Sequence, residues 1–167
     1  MNARLAAMSQ ASAALIVGFV AALIAIWGVW TQRAIARRRA TFDHISRTEA
    51  DADFIAARRK FVELARSGEG LVKWADKDKE KTEEAQSIKL VLNDFELVAI
   101  GIQRGIIDEE FYKRWFKSSV VQYWGHAQPF VAELRRRTSN GMLYYEFEQM
   151  AGWFDENKPP RRSRRWG

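Results

Sequence analysis

Asn93, Asp94 and Glu96 interrupt an apolar stretch formed by Val91, Leu92, Phe95, Leu97 and Val98. No other group in the chain is placed as well to do chemistry. Asn93 and Glu96 are three residues apart, a spacing that puts them on one side of a helix. A carboxylate sunk among apolar neighbours has a raised pKa or a bonded partner, and a raised pKa suits general-acid work. A small hydrolase or metal-assisted enzyme using Glu96 and Asp94 is therefore one reading. The other, preferred here, is structural: Glu96 pairs with an arginine such as Arg104 or Arg135 and locks two helices together.

The rest of the sequence offers little chemistry. There is no Cys, which excludes disulfides, thiolate metal sites and cysteine nucleophiles. Zinc-protease, P-loop, dinucleotide-binding and nucleophile-elbow motifs are absent. His44 and His126 stand 82 residues apart, and each reads as a surface or capping histidine. Trp74, Trp115, Trp124 and Trp153 read as members of an aromatic-rich helical core rather than a stacking surface. No catalytic residue is assigned, and neither a metal nor a cofactor is expected.

The elements that carry these residues follow from charge and periodicity. The net charge of +6 comes from two places: Arg33, Arg37, Arg38 and Arg39, and a tail holding Lys158, Arg161, Arg162, Arg164 and Arg165. Without those nine, 18 basic residues face 21 acidic ones. A nucleic-acid-binding domain spreads its basic footprint over a folded face, so the charge suits a membrane surface better. Nucleic-acid binding through the tail stays as a second alternative.

Between Arg4 and Arg33 lie 28 residues without formal charge, and Ala13–Trp30 forms an 18-residue apolar run. As a helix it spans about 27 Å, enough to cross a bilayer's hydrocarbon core. Trp27 and Trp30 sit at its end, where amphipathic rings favour the headgroups. Ala34-Ile35-Ala36 fits a signal-peptidase pattern, but it follows a run longer than a signal peptide's roughly 7–15 apolar residues. We read the run as an uncleaved transmembrane helix of a single-pass inner-membrane protein. One arginine precedes the run and four follow it within seven residues, so the N-terminus is expected outside and the remainder in the cytoplasm. Ala7, Ala11, Ala14, Gly18, Ala21, Ala25 and Gly28 form a small-residue stripe that suits homo-oligomer formation through this helix.

Beyond the arginines the periodicity is helical. A helix is expected from about Thr31 to Arg66, ended by Ser67-Gly68-Glu69-Gly70. Ile35, Phe42 and Ile45 hint at a heptad that Glu49 breaks. The charged Lys73–Glu84 stretch reads as a solvated face or loop. Ile88, Val91, Leu92, Phe95, Val98, Ala99 and Ile102 define the clearest helix, stopped by Gly105. Asp108 then caps a helix that begins with Glu109 and Glu110. Ser119 and Gln122 resemble a capping box for another helix, and Pro129 kinks that helix or opens a new one. Thr138-Ser139-Asn140-Gly141 makes a turn before a last helix bearing Leu143, Phe147, Met150, Ala151 and Phe154.

Leu92-Asn93-Asp94-Phe95-Glu96, Ile100-Gly101-Ile102 and Gly105-Ile106-Ile107-Asp108 resemble the core of a family of bacterial and phage membrane-anchored proteins, the domain of unknown function 4760. Tyr123-Trp124, Pro129-Phe130 and Tyr144-Tyr145-Glu146-Phe147 are similar to it as well. The resemblance covers about residues 40–155. It implies an anchor followed by a helical domain and brings no activity with it.

The expected fold is all-α: a short segment (1–12), a transmembrane helix (13–30), a basic juxtamembrane segment and long helix (31–66), a helical core (67–155) and a disordered basic tail (156–167), with four to six helices in the cytoplasmic bundle. The expected role is a membrane-tethered, non-enzymatic interaction or regulatory module. The bilayer is its first partner. Trp27, Trp30, Arg33, Arg37, Arg38 and Arg39 meet one stretch of the surface, and Arg161, Arg162, Arg164, Arg165 and Trp166 meet anionic headgroups.

Overall fold

A computed structural model describes the backbone of residues 2–155 and side chains from Leu15 onward. Among these residues all regular structure is helical: α1 (Asn2–Ala50), α2 (Ala52–Arg66), α3 (Glu83–Gln103), α4 (Glu109–Thr138) and α5 (Tyr145–Phe154), with two 3₁₀ turns at Val72–Ala75 and Lys77–Lys79. The chain divides between Arg37 and Arg38 into two units. The all-α expectation is met.

The first unit is helical throughout its described length, and none of its described large apolar side chains is buried. Every large apolar side chain from Leu15 to Trp30 is exposed, including Leu15 at 75%, Phe19 at 67% and Trp30 at 72%. The helix is long and apolar enough to cross a membrane. Within the stripe of small residues, nothing lies within 4 Å of where a side chain would begin at Gly18 or Gly28. The side chains of Ala7, Ala11 and Ala14 fall outside the described ones.

The second unit is a helical domain around one core. Five aromatic rings run through it in contact: Phe61 stacks on Tyr123 at 4.9 Å, Tyr123 meets Phe95 at 5.3 Å, Phe95 stacks on Phe147 at 4.7 Å, and Trp124 meets Phe147 edge-on at 5.2 Å. These contacts tie α2, α3, α4 and α5 together, and such pairs are each worth about 0.5–1.5 kcal/mol beyond the area they bury. The end of α1 joins through Ile45 and Thr41, both buried. Thr41 Oγ1 accepts the Asp108 N–H at 2.8 Å, and the Asp108 carboxylate accepts the Phe111 N–H at 3.0 Å. The start of α4 is thus capped locally and pinned to α1.

Three helix boundaries differ from the sequence expectation. The helix expected from Thr31 to Arg66 does begin within the preceding apolar helix, but it breaks at Asp51. That carboxylate accepts the Asp53 and Phe54 N–H groups at 2.9 and 3.0 Å, and its extended backbone starts α2 afresh. Ser119 caps nothing. The buried stripe Tyr112, Phe116, Val120, Tyr123, Ala127, Val131 and Leu134 runs through it at spacings of three and four, and core packing overrides the local signal. Pro129 opens no new helix either, since α4 continues across it to Thr138. Pro129 and Gly125 are both exposed, so the carbonyl deprived of its donor faces solvent.

Elsewhere the boundaries agree. At the end of α3, Gly105 has φ +65°, the Ile106 N–H donates to the Gly101 carbonyl at 2.8 Å, and the Gly105 N–H donates to that of Ile102 at 3.0 Å. This is a Schellman closure, which glycine favours. Gly101 has its own reason: a Cβ there would meet Ile107 Cγ1 at 3.0 Å. The charged Lys73–Glu84 stretch holds more structure than a plain loop. Ala75 is buried, and Arg137 of α4 donates to its carbonyl at 2.6 Å. Of the four tryptophans expected in the core, Trp124 is buried and Trp74 partly so, but Trp115 and Trp153 are exposed at 65% and 53%.

Candidate functional site

The three polar residues of α3 do not form one group. A helix turns about 100° per residue, so Asp94 and Glu96 leave it about 160° apart, toward different neighbours. Asp94 faces α1, where its carboxylate lies 3.5 Å from His44 Nε2. Glu96 faces α5. Asn93 is exposed, so sharing a helix side with Glu96 does not bring it into a site.

Glu96 has no arginine for a direct partner. Helix α5 starts after Tyr144, a left-handed residue at φ 54° whose side chain caps nothing. Its first N–H groups therefore need acceptors from elsewhere. The Glu96 carboxylate supplies them across the helix interface, accepting the Phe147 N–H at 2.7 Å and the Glu146 N–H at 3.3 Å. Arg135 is engaged otherwise: its Nε donates to the Leu143 carbonyl and its Nη1 to Glu148, each at 2.9 Å. The expected lock between two helices exists, made with backbone instead of a guanidinium. Nothing local in the sequence reveals that α5 lacks a cap of its own. Burial raises the Glu96 pKa, and the two N–H donors and the Arg135 charge only partly offset it. The Glu96 carboxylate and burial also push the neighbouring Tyr144 phenol up to about 12, burial being the larger cause.

Asp94 belongs to a constellation drawn from four helices. Together with His44, Thr48, Arg58 and Tyr112 it lines a cavity of about 10 Å³, closed by Phe54, Phe95 and Phe116. His44, read from sequence as a surface or capping residue, is part-buried here beside a carboxylate. The Tyr112 phenol is pushed strongly upward by burial and secondarily by the Asp94 charge. Burial alone would depress the Arg58 guanidinium, but hydrogen bonds to Tyr123 and Glu49 hold it above its ordinary value.

A histidine held by an aspartate can in principle act as a base. Of the two hydroxyls that line the cavity, that of Thr48 is already committed, its proton shared between the His44 and Ile45 carbonyls at 3.1 and 3.0 Å. The cavity has room for about one water. No sequence signal could assemble these residues, because their spacing along the chain follows no motif and only packing brings four helices together.

Among the described residues, no three His, Asp or Glu side chains converge as a metal site requires. An open depression of about 360 Å³ lies on α4, lined by Glu110, Lys113, Arg114, Trp115, Lys117 and Ser118. Of the residues expected at a membrane, Trp27, Trp30, Arg33 and Arg37 are exposed. Arg38 and Arg39 are exposed too and face Asp108 and Asp43, each at 3.8 Å. Arg161, Arg162, Arg164, Arg165 and Trp166 lie outside the described residues.

No curated protein and no solved structure matches the chain. A family model does: it covers residues 15–153, from the exposed apolar helix almost to the end of α5. The span includes the apolar helix, which the sequence resemblance did not. This chain belongs to the family described as domain of unknown function (DUF4760).

Proposed function

We propose that the protein is a single-pass inner-membrane protein whose helical domain is a non-enzymatic interaction or regulatory module on the cytoplasmic side. One observation carries the tethering: from Leu15 to Trp30 every large apolar side chain is exposed. A helix that is apolar all round suits lipid or a protein core, and within its own unit this one has no core to enter. Arg33, Arg37, Arg38 and Arg39 supply the flank that holds the following domain inside. The reading of the domain as a binding module is supported by the one-water size of its His44–Asp94 cavity and by the use of Glu96 as a cap.

Membrane-bound full-length chain should remain in the pellet after alkaline carbonate washing. Release of a soluble product that starts near Arg37 would instead restore the signal-peptide reading. A phosphatase fused after Gly167 should be inactive in a bacterial host, and strong activity would reverse the topology. The basic tail extends the same proposal: Arg161, Arg162, Arg164, Arg165 and Trp166 dock on anionic headgroups near the anchor. A peptide of residues 156–167 should show blue-shifted Trp166 emission with acidic vesicles, fading as salt rises. Unchanged emission at low salt would move nucleic acid up as the tail's partner.

A further inference from the structure

The end of α1 is held to the helical domain by different means from α2 to α5. Of residues 38–50 only Thr41 and Ile45 are buried, and Phe42 is exposed at 59%. Helix α2, of similar length, buries Phe54, Ala57 and Phe61. The attachment of α1 is mostly polar and spaced along it. Arg38 lies 3.8 Å from Asp108, and Thr41 Oγ1 accepts the Asp108 N–H at 2.8 Å. His44 Nε2 lies 3.5 Å from Asp94, and Glu49 accepts from Arg58 at 2.7 Å.

We infer that residues 38–50 form a releasable strap, hinged at Asp51 and closed over the recess that holds Arg58, Asp94 and Tyr112.

The hydrogen bonds around Asp51 divide between the two helices it joins. Its N–H closes the last turn of α1 on the Arg47 carbonyl at 2.9 Å. Its carbonyl accepts the Ile55 N–H at 2.9 Å, and its carboxylate accepts those of Asp53 and Phe54. Rotation about the Asp51 N–Cα bond carries the first bond with α1 and leaves the others with α2. Its φ of −77° stands near one end of an allowed region that runs to about −160°. The strap can therefore swing while both helices stay intact.

Release exchanges the latches for water. Hydrogen bonds and exposed ion pairs lose little in that exchange, whereas burial of large apolar groups resists it. Ile45 is the one large apolar side chain that residues 38–50 bury, so this segment belongs at the low end of local stability. What it covers is a guanidinium, a carboxylate and a phenol set against the Phe95 and Phe116 rings. The strap is also the covalent link from the apolar run to the rest of the domain. A pull on that run loads the Arg38 and Thr41 latches before the hinge. The device lies wholly within the second unit, and its opening does not depend on tethering.

Hydrogen exchange of the full-length chain in detergent, followed amide by amide, tests the strap. The Asp108 N–H has its acceptor on the strap, so its exchange reports release. Its protection should lie about a hundredfold or more below that of the Val98 and Val120 N–H groups, within α3 and α4. Glu49→Arg, at an exposed residue beside the hinge, turns attraction to Arg58 into repulsion. It should speed Asp108 exchange about fivefold or more and leave Val98 and Val120 as they were. Asp94→Asn should give the same pattern from the middle latch. Equal protection of all three amides in the wild-type chain would show that the strap opens only with the whole domain, and would overturn the inference. Equal acceleration of all three in Glu49→Arg would overturn it as well. An Asp108 rate indifferent to both substitutions would mean that residues 38–50 do not move as one body, with the same result.

Discussion

From Leu15 to Trp30 apolar side chains point outward on all sides, whereas from Arg38 to Asp155 nearly the whole core is of the same residue types turned inward. Both regions are helical, so secondary structure does not distinguish them. The difference lies in the distribution of charge around each helix. Helix α4 alternates Tyr112, Phe116, Val120 and Tyr123 with lysines, arginines and glutamates, and its apolar stripe can face inward only. The Leu15–Trp30 stretch has no polar side to turn outward. Exposure is a packing failure in the first kind of helix and a statement about the surroundings in the second. The domain is not free of exposed apolar residues, Leu97, Trp115 and Trp153 among them, but they stand against a buried core.

Mutations at matched residue types sharpen this contrast. Phe95 touches Tyr123 and Phe147 at the centre of the aromatic chain. Phe95→Ala should cost about 3–5 kcal/mol of domain stability, measured by denaturant unfolding in detergent. Phe19→Ala, in the first region, should leave that unfolding curve unchanged. Equal losses at both positions would mean that Phe19 is packed, and the contrast would fail.

Glu96 gives the next largest effect, because two N–H groups of α5 depend on one carboxylate. Glu96→Gln should cost about 1–3 kcal/mol. The sign of its pH dependence is set by burial, which raises the Glu96 pKa above its ordinary value near 4.5. The folded protein then keeps its proton to higher pH than the unfolded chain does. Wild-type stability therefore falls as pH rises from about 4.5 through the raised value and is level beyond it. The variant lacks this fall, so its deficit should narrow as the pH is raised. A deficit that widens would mean that the N–H donors outweigh burial.

Asp51 tests the break between α1 and α2. Asp51→Ala removes the cap bonds to Asp53 and Phe54 and should cost about 1 kcal/mol. A rise in stability would show that one unbroken helix from Thr31 to Arg66 is the preferred state. The smallest change is expected on the outer face of α3. Leu97→Glu should shift domain stability by no more than about 0.5 kcal/mol, as surface substitutions do. A larger loss would place Leu97 in the core, against its exposure of 63%.

Reading the residues in order was enough for the all-α class, the long apolar helix, the ends of α2 and α3, the Asp108 cap and the last helix. These features are written in short-range terms: a period of three to four, a glycine that can take φ +65°, a carboxylate three residues before an N–H. Tertiary structure decided the rest. Whether Ser119 starts a helix depended on a buried stripe that runs past it on both sides. What Glu96 bonds to depended on α5, fifty residues away, starting without a cap of its own. Asn93, Asp94 and Glu96 are adjacent in sequence, yet 100° of turn per residue sends them to solvent, to His44 and to α5. Helix periodicity reports which residues share a side, and only the packing of other helices settles what each side meets.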